Sequence, residues 1–181
     1  PPFSPGELAL GAQARFFARV GGGSPKEMGQ IFIEAQQFKG TSLIEILQNC
    51  VIFNDGCFNH LTDKDVKEDK QIYLEHGKPM IFGKNRDKGL LLKGLKLEVV
   101  TICENGVTQE DLLVHNAKEK DPTLHFMLVR MEYPLATGVI RSFDDVTLEE
   151  REDALTAQVK ANSSFTKTDD LFFSGETYEV K

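Results

Sequence analysis

Between residues 15 and 47 the chain spells strand, helix, strand, and that order admits few folds. "RFFARV" (15–20) is a short apolar run, broken by "GGGS" (21–24). Ser24-Pro25-Lys26-Glu27 then announces a helix, with Ser at the N-cap, Pro at the first helical position and Glu three residues past the cap. Met28, Ile31, Phe32, Ala35 and Phe38 follow at helical spacing as one apolar stripe. Met28, Ile31, Phe32 and Phe38 are therefore expected to be mostly buried over the two strands. Lys39-Gly40 ends the helix, and "TSLIEIL" (41–47) begins a second strand. Its Leu43, Ile44, Ile46 and Leu47 are too continuously apolar for a sheet edge. Such a βαβ unit implies an α/β fold, with a mostly parallel sheet flanked by helices. Ligands of such sheets gather beyond the carboxyl ends of strands, and Cys50 lies just past one.

Further along, the 57–70 stretch is polar, a short helix and a loop. "QIYLEHGKPMIFG" reads as two short strands around His76-Gly77-Lys78-Pro79. "KGLLLKGLKLEVVTI" is apolar in clumps, with Gly89 and Gly94 as breaks. Thr108-Gln109-Glu110-Asp111 predicts a helix start carrying Leu112, Leu113 and Asn116. Asp121-Pro122 opens a helix over "TLHFMLVRM", whose β-branched and aromatic content also suits a strand, and "ATGVIRSF" (136–143) is a strand. Thr147-Leu148-Glu149-Glu150 is a capping box that opens a helix to about Asn162. The tail after Asn162 has little periodicity and is expected to be the least regular part. Residues 1–162 thus form one α/β domain and residues 163–181 an irregular tail.

Composition excludes more than it assigns. With 40% apolar and 27% charged residues, the 181-residue chain suits one soluble globular domain. A net charge of -7 argues against general affinity for nucleic acid or anionic membrane. No apolar run approaches the roughly 20 residues that span a bilayer, and the N-terminus lacks a secretory pattern. Cys50, Cys57 and Cys103 are an odd number without a disulfide framework, which favours a reducing, cytoplasmic setting. The chain opens on Pro without an initiator Met, as a processed product or a piece of something longer would.

Local motifs stop short of an assignment. A cysteine at a strand end is more often a small buried apolar residue than a ligand, and Cys57, seven residues on, does not form the C-x2-C clip of zinc or iron–sulfur sites. His60, His76, His115 and His125 have no metal-ligand spacing, so exposed or hydrogen-bonded structural roles are expected. "GGGS" before a helix resembles a phosphate cradle, but neither G-x-G-x-x-G nor a Walker lysine completes it. Asp144-Asp145 precedes a capping box and reads as charge favourable to the helix dipole. No Ser-His-Asp arrangement is suggested.

Longer stretches say more. "PPFSPGELALGAQARFFARV", "FKGTSLIEILQNCVIFNDGCF", "LEHGKPMIFGKNRDKGLLL", "FMLVRMEYPLATGVIRSF" and the closing "SGETYEV" resemble the β subunit of 2-oxoacid:ferredoxin oxidoreductases, closest to the 2-oxoglutarate branch. "QNCVIFNDG" is the most specific part. The resemblance covers nearly the whole chain and implies part of a thiamin diphosphate-binding module. Such subunits bind the diphosphate through Mg2+ with a G-D-G motif and a downstream Asn, and hold one [4Fe–4S] cluster with four cysteines. Two of these form C-x2-C and one sits at a strand end in an "N-C" context, where Cys50 falls. Neither G-D-G nor C-x2-C occurs here, so the chain is expected to be the C-terminal part of a longer β subunit, a degenerate paralogue being the other possibility.

The resemblance implies oxidative decarboxylation of a 2-oxoacid. The thiamin attacks the 2-oxo carbon, CO2 leaves, electrons pass singly through the cluster to ferredoxin, and coenzyme A takes the acyl group. Cys50 is then a cluster ligand, Val51, Ile52 and Phe53 walls that keep water from the sulfurs, and Cys57 and Cys103 bystanders. Cys103, in the "EVVTIC" run, is expected to be a core or strand residue. No catalytic acid, base or nucleophile is assigned. The implied partners are an α subunit, the remaining N-terminal part of the β subunit, ferredoxin, coenzyme A and the 2-oxoacid, with no nucleic acid and no membrane. Alone, the chain is expected to be inactive, to bind thiamin diphosphate weakly, and to expose an apolar surface. Two other readings stay open: a non-catalytic α/β interaction domain, and a phosphate or nucleotide binder built on "GGGS".

Overall fold

The structure, a computed structural model, describes residues 3–180. Contacts divide the chain into two compact units, with the boundary in sequence between Asp144 and Asp145. The first opens with helix α1 (Pro5–Gly11), strand β1 (Phe16–Gly21), helix α2 (Pro25–Gln37) and strand β2 (Ser42–Leu47). Short helices α3 (Asn59–Thr62) and α4 (Lys67–Lys70) lead to strands β3 (Gln71–Leu74), β4 (Ile81–Phe82), β5 (Lys88–Lys93) and β6 (Lys96–Thr101). Helix α5 (Thr123–Arg130) and strand β7 (Leu135–Ser142) close the unit.

The main sheet has the order β2-β1-β7-β3. β1 runs parallel to β2 and β3 parallel to β7, while the β1–β7 seam is antiparallel. The expected mixed α/β architecture, with a mostly parallel sheet and β1 and β2 as parallel neighbours, is therefore present. A second, antiparallel sheet has the order β4-β5-β6. Alternation along β1 splits the core. Phe17 joins Ile72, Ile140 and Leu128 of α5 on one face. Phe16, Ala18 and Val20 meet Ile31 of α2 on the other.

Several expectations need correction. β2 is an edge strand, not an inner one. Leu43, Ile44 and Leu47 are only half-buried, and Ile46 is exposed. A parallel partner covers one side of an apolar strand, and apolarity alone cannot say whether the other side is covered. In α2 only Ile31 is fully buried; Met28 and Phe38 are half-buried, and Phe32 is 45% exposed. Phe32 lies one residue past Ile31, roughly 100° around the helix, so it leaves the strip that faces the sheet. Ser24 does not cap α2 through its side chain, because its Oγ accepts from Lys67 Nζ at 2.6 Å. Lys67 also takes Glu27, at 2.9 Å.

Gly89 is not a break but a residue of β5, where a Cβ would come within 2.5 Å of the Leu112 side chain. Thr108 starts a single 3-10 turn, Gln109–Asp111, instead of a helix, and Leu112 follows in extended backbone. Gly77 and the Pro79–Met80 segment hydrogen-bond to the 113–115 stretch, so that segment is used as an extended strap.

One ion pair is built into the sheet. Arg19 of β1 and Glu45 of β2 are register partners, and Arg19 Nε donates to Glu45 Oε2 at 2.6 Å with both side chains largely buried. Arg19→Ala would strand the carboxylate and is expected to cost about 3 kcal/mol. Arg19→Met with Glu45→Leu should recover most of that loss. Urea unfolding checks both, and a single-variant loss below about 1 kcal/mol would refute the pair's importance.

The second unit holds helix α6 (Leu148–Asn162) and the short helix α7 (Thr168–Phe172). The capping box forms as read: Thr147 Oγ accepts from the Glu150 N–H at 3.2 Å, and Glu150 Oε2 accepts from the Thr147 N–H at 2.8 Å. No helix among the described residues is long and apolar enough to cross a membrane.

Candidate functional site

β2 ends at Leu47, and the chain turns sharply within Asn49–Gly56. Asn49 braces this loop: its Nδ2 donates to Asp55 Oδ1 at 2.7 Å, and its Oδ1 accepts from the Gly56 N–H at 2.8 Å. The Asn54 N–H donates to the Cys50 carbonyl at 2.9 Å, pairing the two residues across the loop. Gly56 turns the chain out with φ +73°. The local sequence thus makes a small, internally tied hook instead of a floppy connection.

Cys50 sits on this hook, exposed and unpaired. Backbone hydrogen bonding from Phe53, and less from Ile52 and Asn54, holds the Cys50 thiol below its usual pKa. Hydrogen bonds to sulfur favour the thiolate, the form that ligates metals. Cys50 follows an edge strand and not an inner one. Val51, Ile52 and Phe53 are 74%, 82% and 90% exposed, so within this chain they wall off nothing.

Of the other cysteines, Cys57 directly follows the hook, its N–H donating to the Asn54 carbonyl at 3.4 Å. It is half-buried in the polar stretch before α3. Cys103 is no core or strand residue: β6 ends at Thr101, and Cys103 is exposed in a turn at φ +69°. Among the described residues, no three His, Cys, Asp or Glu side chains come together as a metal site. A four-thiolate cage that used Cys50 would need its other ligands from outside the described residues.

The "GGGS" connection does not form a phosphate cradle. The Gly22 N–H donates to Leu47 O at 2.9 Å, the Ser24 N–H to Gly21 O at 3.1 Å, and the Ser24 hydroxyl is taken by Lys67. Those groups are spent on the fold, which argues against the nucleotide-binder reading.

Sequence reasoning missed a buried polar cluster on the sheet's other side. Arg141 of β7, His125 of α5 and His115 of the strap are all buried. Arg141 donates to Glu119 O at 2.8 Å, Lys120 O at 3.0 Å and His125 Nδ1 at 2.9 Å. A guanidinium only donates, so His125 keeps its proton on Nε2, which donates to Asn116 O at 3.0 Å. His115 Nε2 likewise faces Val139 O at 2.9 Å, and its Nδ1 is buried with no partner among the described residues. Each histidine has a structural, hydrogen-bonded role, as expected. The only sequence signal for the cluster was an arginine inside an apolar strand.

Along the sequence, the chain is 35% identical over 161 residues to the 2-oxoglutarate oxidoreductase subunit KorB of Mycobacterium tuberculosis. The chain resembles a 2-oxoacid oxidoreductase β subunit. The alignment takes in 88% of this chain but 42% of KorB, so the chain spans less than half the length of that relative. No family model matches the chain, and no solved structure matches it.

Proposed function

We propose that this chain is the C-terminal part of the β subunit of a thiamin diphosphate-dependent 2-oxoacid:ferredoxin oxidoreductase, with 2-oxoglutarate the favoured substrate. The reaction is oxidative decarboxylation to an acyl-CoA. The Cys50 hook carries the proposal: an exposed thiol on a loop braced by Asn49, its pKa lowered by neighbouring backbone. Cys50 supplies one thiolate to a [4Fe–4S] cluster, whose chemistry is one-electron relay. Cys57 and Cys103 supply none. The other ligands, the Mg2+-diphosphate site and the α subunit lie outside these residues, and ferredoxin, coenzyme A and the 2-oxoacid meet the assembled enzyme in the cytoplasm. Residues 1–162 belong to the thiamin-type module and residues 163–181 to a tail.

The test is turnover by the assembled enzyme that contains this chain. With 2-oxoglutarate and coenzyme A it should reduce ferredoxin or a viologen dye. Full assembly without any 2-oxoacid-dependent reduction would favour the non-catalytic interaction domain. The 181 residues alone should give no turnover, and calorimetry should find no tight, Mg2+-dependent thiamin diphosphate binding. Tight binding would contradict the placement of that site outside the chain.

A further inference from the structure

The extended strap that begins at 113–115 runs on through residues 115–121, which pass the end of the sheet where β3 and β7 finish. Its backbone is held at several points. The His115 N–H donates to Lys78 O at 2.9 Å, the Gly77 N–H to His115 O at 2.8 Å, and the Ser142 N–H to Ala117 O at 2.7 Å. Arg141 adds its bonds to the Glu119 and Lys120 carbonyls. Beneath lies a cavity of about 360 Å3 whose walls include Tyr73, Glu75, His76, Ala117, Lys118 and Ser142. The strap thus supplies one side of a polar cavity at the carboxyl ends of a parallel strand pair.

We propose that this strap is a proton-operated closure, shut while His115 and His125 are both neutral and released when either takes a second proton. The geometry requires neutrality. A proton on His125 Nδ1 would face Arg141 NH1 at 2.9 Å, donor against donor and cation against cation. Around His125 stand Arg141 from β7, Glu119 and Asp121 from the strap, and the His115 ring, whose centroid is 6.3 Å away. The two carboxylates favour its charged form, but burial and Arg141 oppose it, and burial is the largest influence. A proton on His115 Nδ1 would have no acceptor, and the charged groups facing it are His125 and His76, which can only add repulsion. Burial holds His115 down to about 4.

The sign follows from linkage. The folded strap binds fewer protons than the released one, so closure is complete above the ordinary histidine pKa of roughly 6.5 and weakens as pH falls towards 4. Between pH 7 and pH 4.5 the closing equilibrium should drop about a hundredfold from His115 alone, since each pH unit below the free pKa is a factor of ten.

Hydrogen exchange on the complete chain tests this. Protection factors of the Gly77, His115 and Ser142 amides should fall about a hundredfold over that interval, staying below those of β1 throughout. His115→Phe should flatten much of the slope. If that variant does not fold, long-range nitrogen–proton spectra of the unmodified chain decide, by finding both imidazoles neutral, with the proton on Nε2, at pH 6. A normal titration of both histidines near 6.5, a slope unchanged by His115→Phe, or strap and β1 amides sharing one protection factor would each overturn the proposal.

Discussion

Gly138→Ala is expected to leave little folded protein. Gly138 sits in β7 between Arg19 of β1 and Leu74 of β3, at φ +91°. A Cβ there would stand 2.6 Å from the Leu74 carbonyl oxygen and 3.1 Å from its nitrogen. Those atoms are backbone, so no side-chain rotation relieves the clash and the β3–β7 ladder must open. The left-handed conformation adds its own strain of about 1–3 kcal/mol. Together a loss of at least about 3–5 kcal/mol is expected, a large fraction of the stability of a typical domain. Soluble yield and the urea midpoint report it. Gly29→Ala, in α2 with nothing within 4 Å of the new methyl, is the control and should be neutral or stabilising by up to about 1 kcal/mol. A Gly138→Ala loss below about 1 kcal/mol would mean the sheet yields there, contrary to the packing described.

If Cys50 ligates a cluster as proposed, Cys50→Ser in the assembled enzyme should remove most of the [4Fe–4S] cluster and slow ferredoxin reduction by about tenfold or more. An alkoxide is a harder, more basic ligand than a thiolate and suits iron–sulfur chemistry poorly. The hook itself should survive, since its bracing bonds run between Asn49, Asp55, Gly56 and backbone and leave the sulfur out. Cys57→Ser and Cys103→Ser should keep iron content near normal. Iron analysis with electron paramagnetic resonance distinguishes the three. An intact cluster without Cys50, or a lost one without Cys57, would place the ligand beyond the Gly56 turn.

The sequence was most informative where local chemistry and tertiary need agree. The βαβ unit, the capping box at Thr147 and the helix over 123–130 form where patterning placed them. It was least informative where the answer depends on what lies alongside. Leu43 to Leu47 reads the same whether or not a strand covers the outer side of β2. Thr108-x-x-Asp111 satisfies a helix start, yet the next residues are drawn into hydrogen bonds with Lys78 and Met80, and the helix stops after one turn. Cys50 was legible as a candidate, but the amides around its sulfur were not, because they arise from loop geometry and not from residue type. The Arg141–His125–His115 cluster joins residues 115, 125 and 141, whose meeting only the fold could reveal.

The antiparallel seam at the middle of the main sheet joins Phe16–Gly21 to Leu135–Ser142. Time enters through that pairing. A ribosome adding roughly 5–20 residues per second delivers β7 on the order of ten seconds after β1. During that wait β1, α2 and β2 can pair locally, but β1 keeps one flank of hydrogen-bonding groups open, and Phe16, Phe17, Ala18 and Val20 lack much of their final cover. Closing so long a loop is also slow once the chain is free, because its entropy is lost before the contacts form. The sheet of this chain is therefore completed late and from its centre, and the nascent βαβ unit is the species that chaperones must keep from pairing with a neighbour.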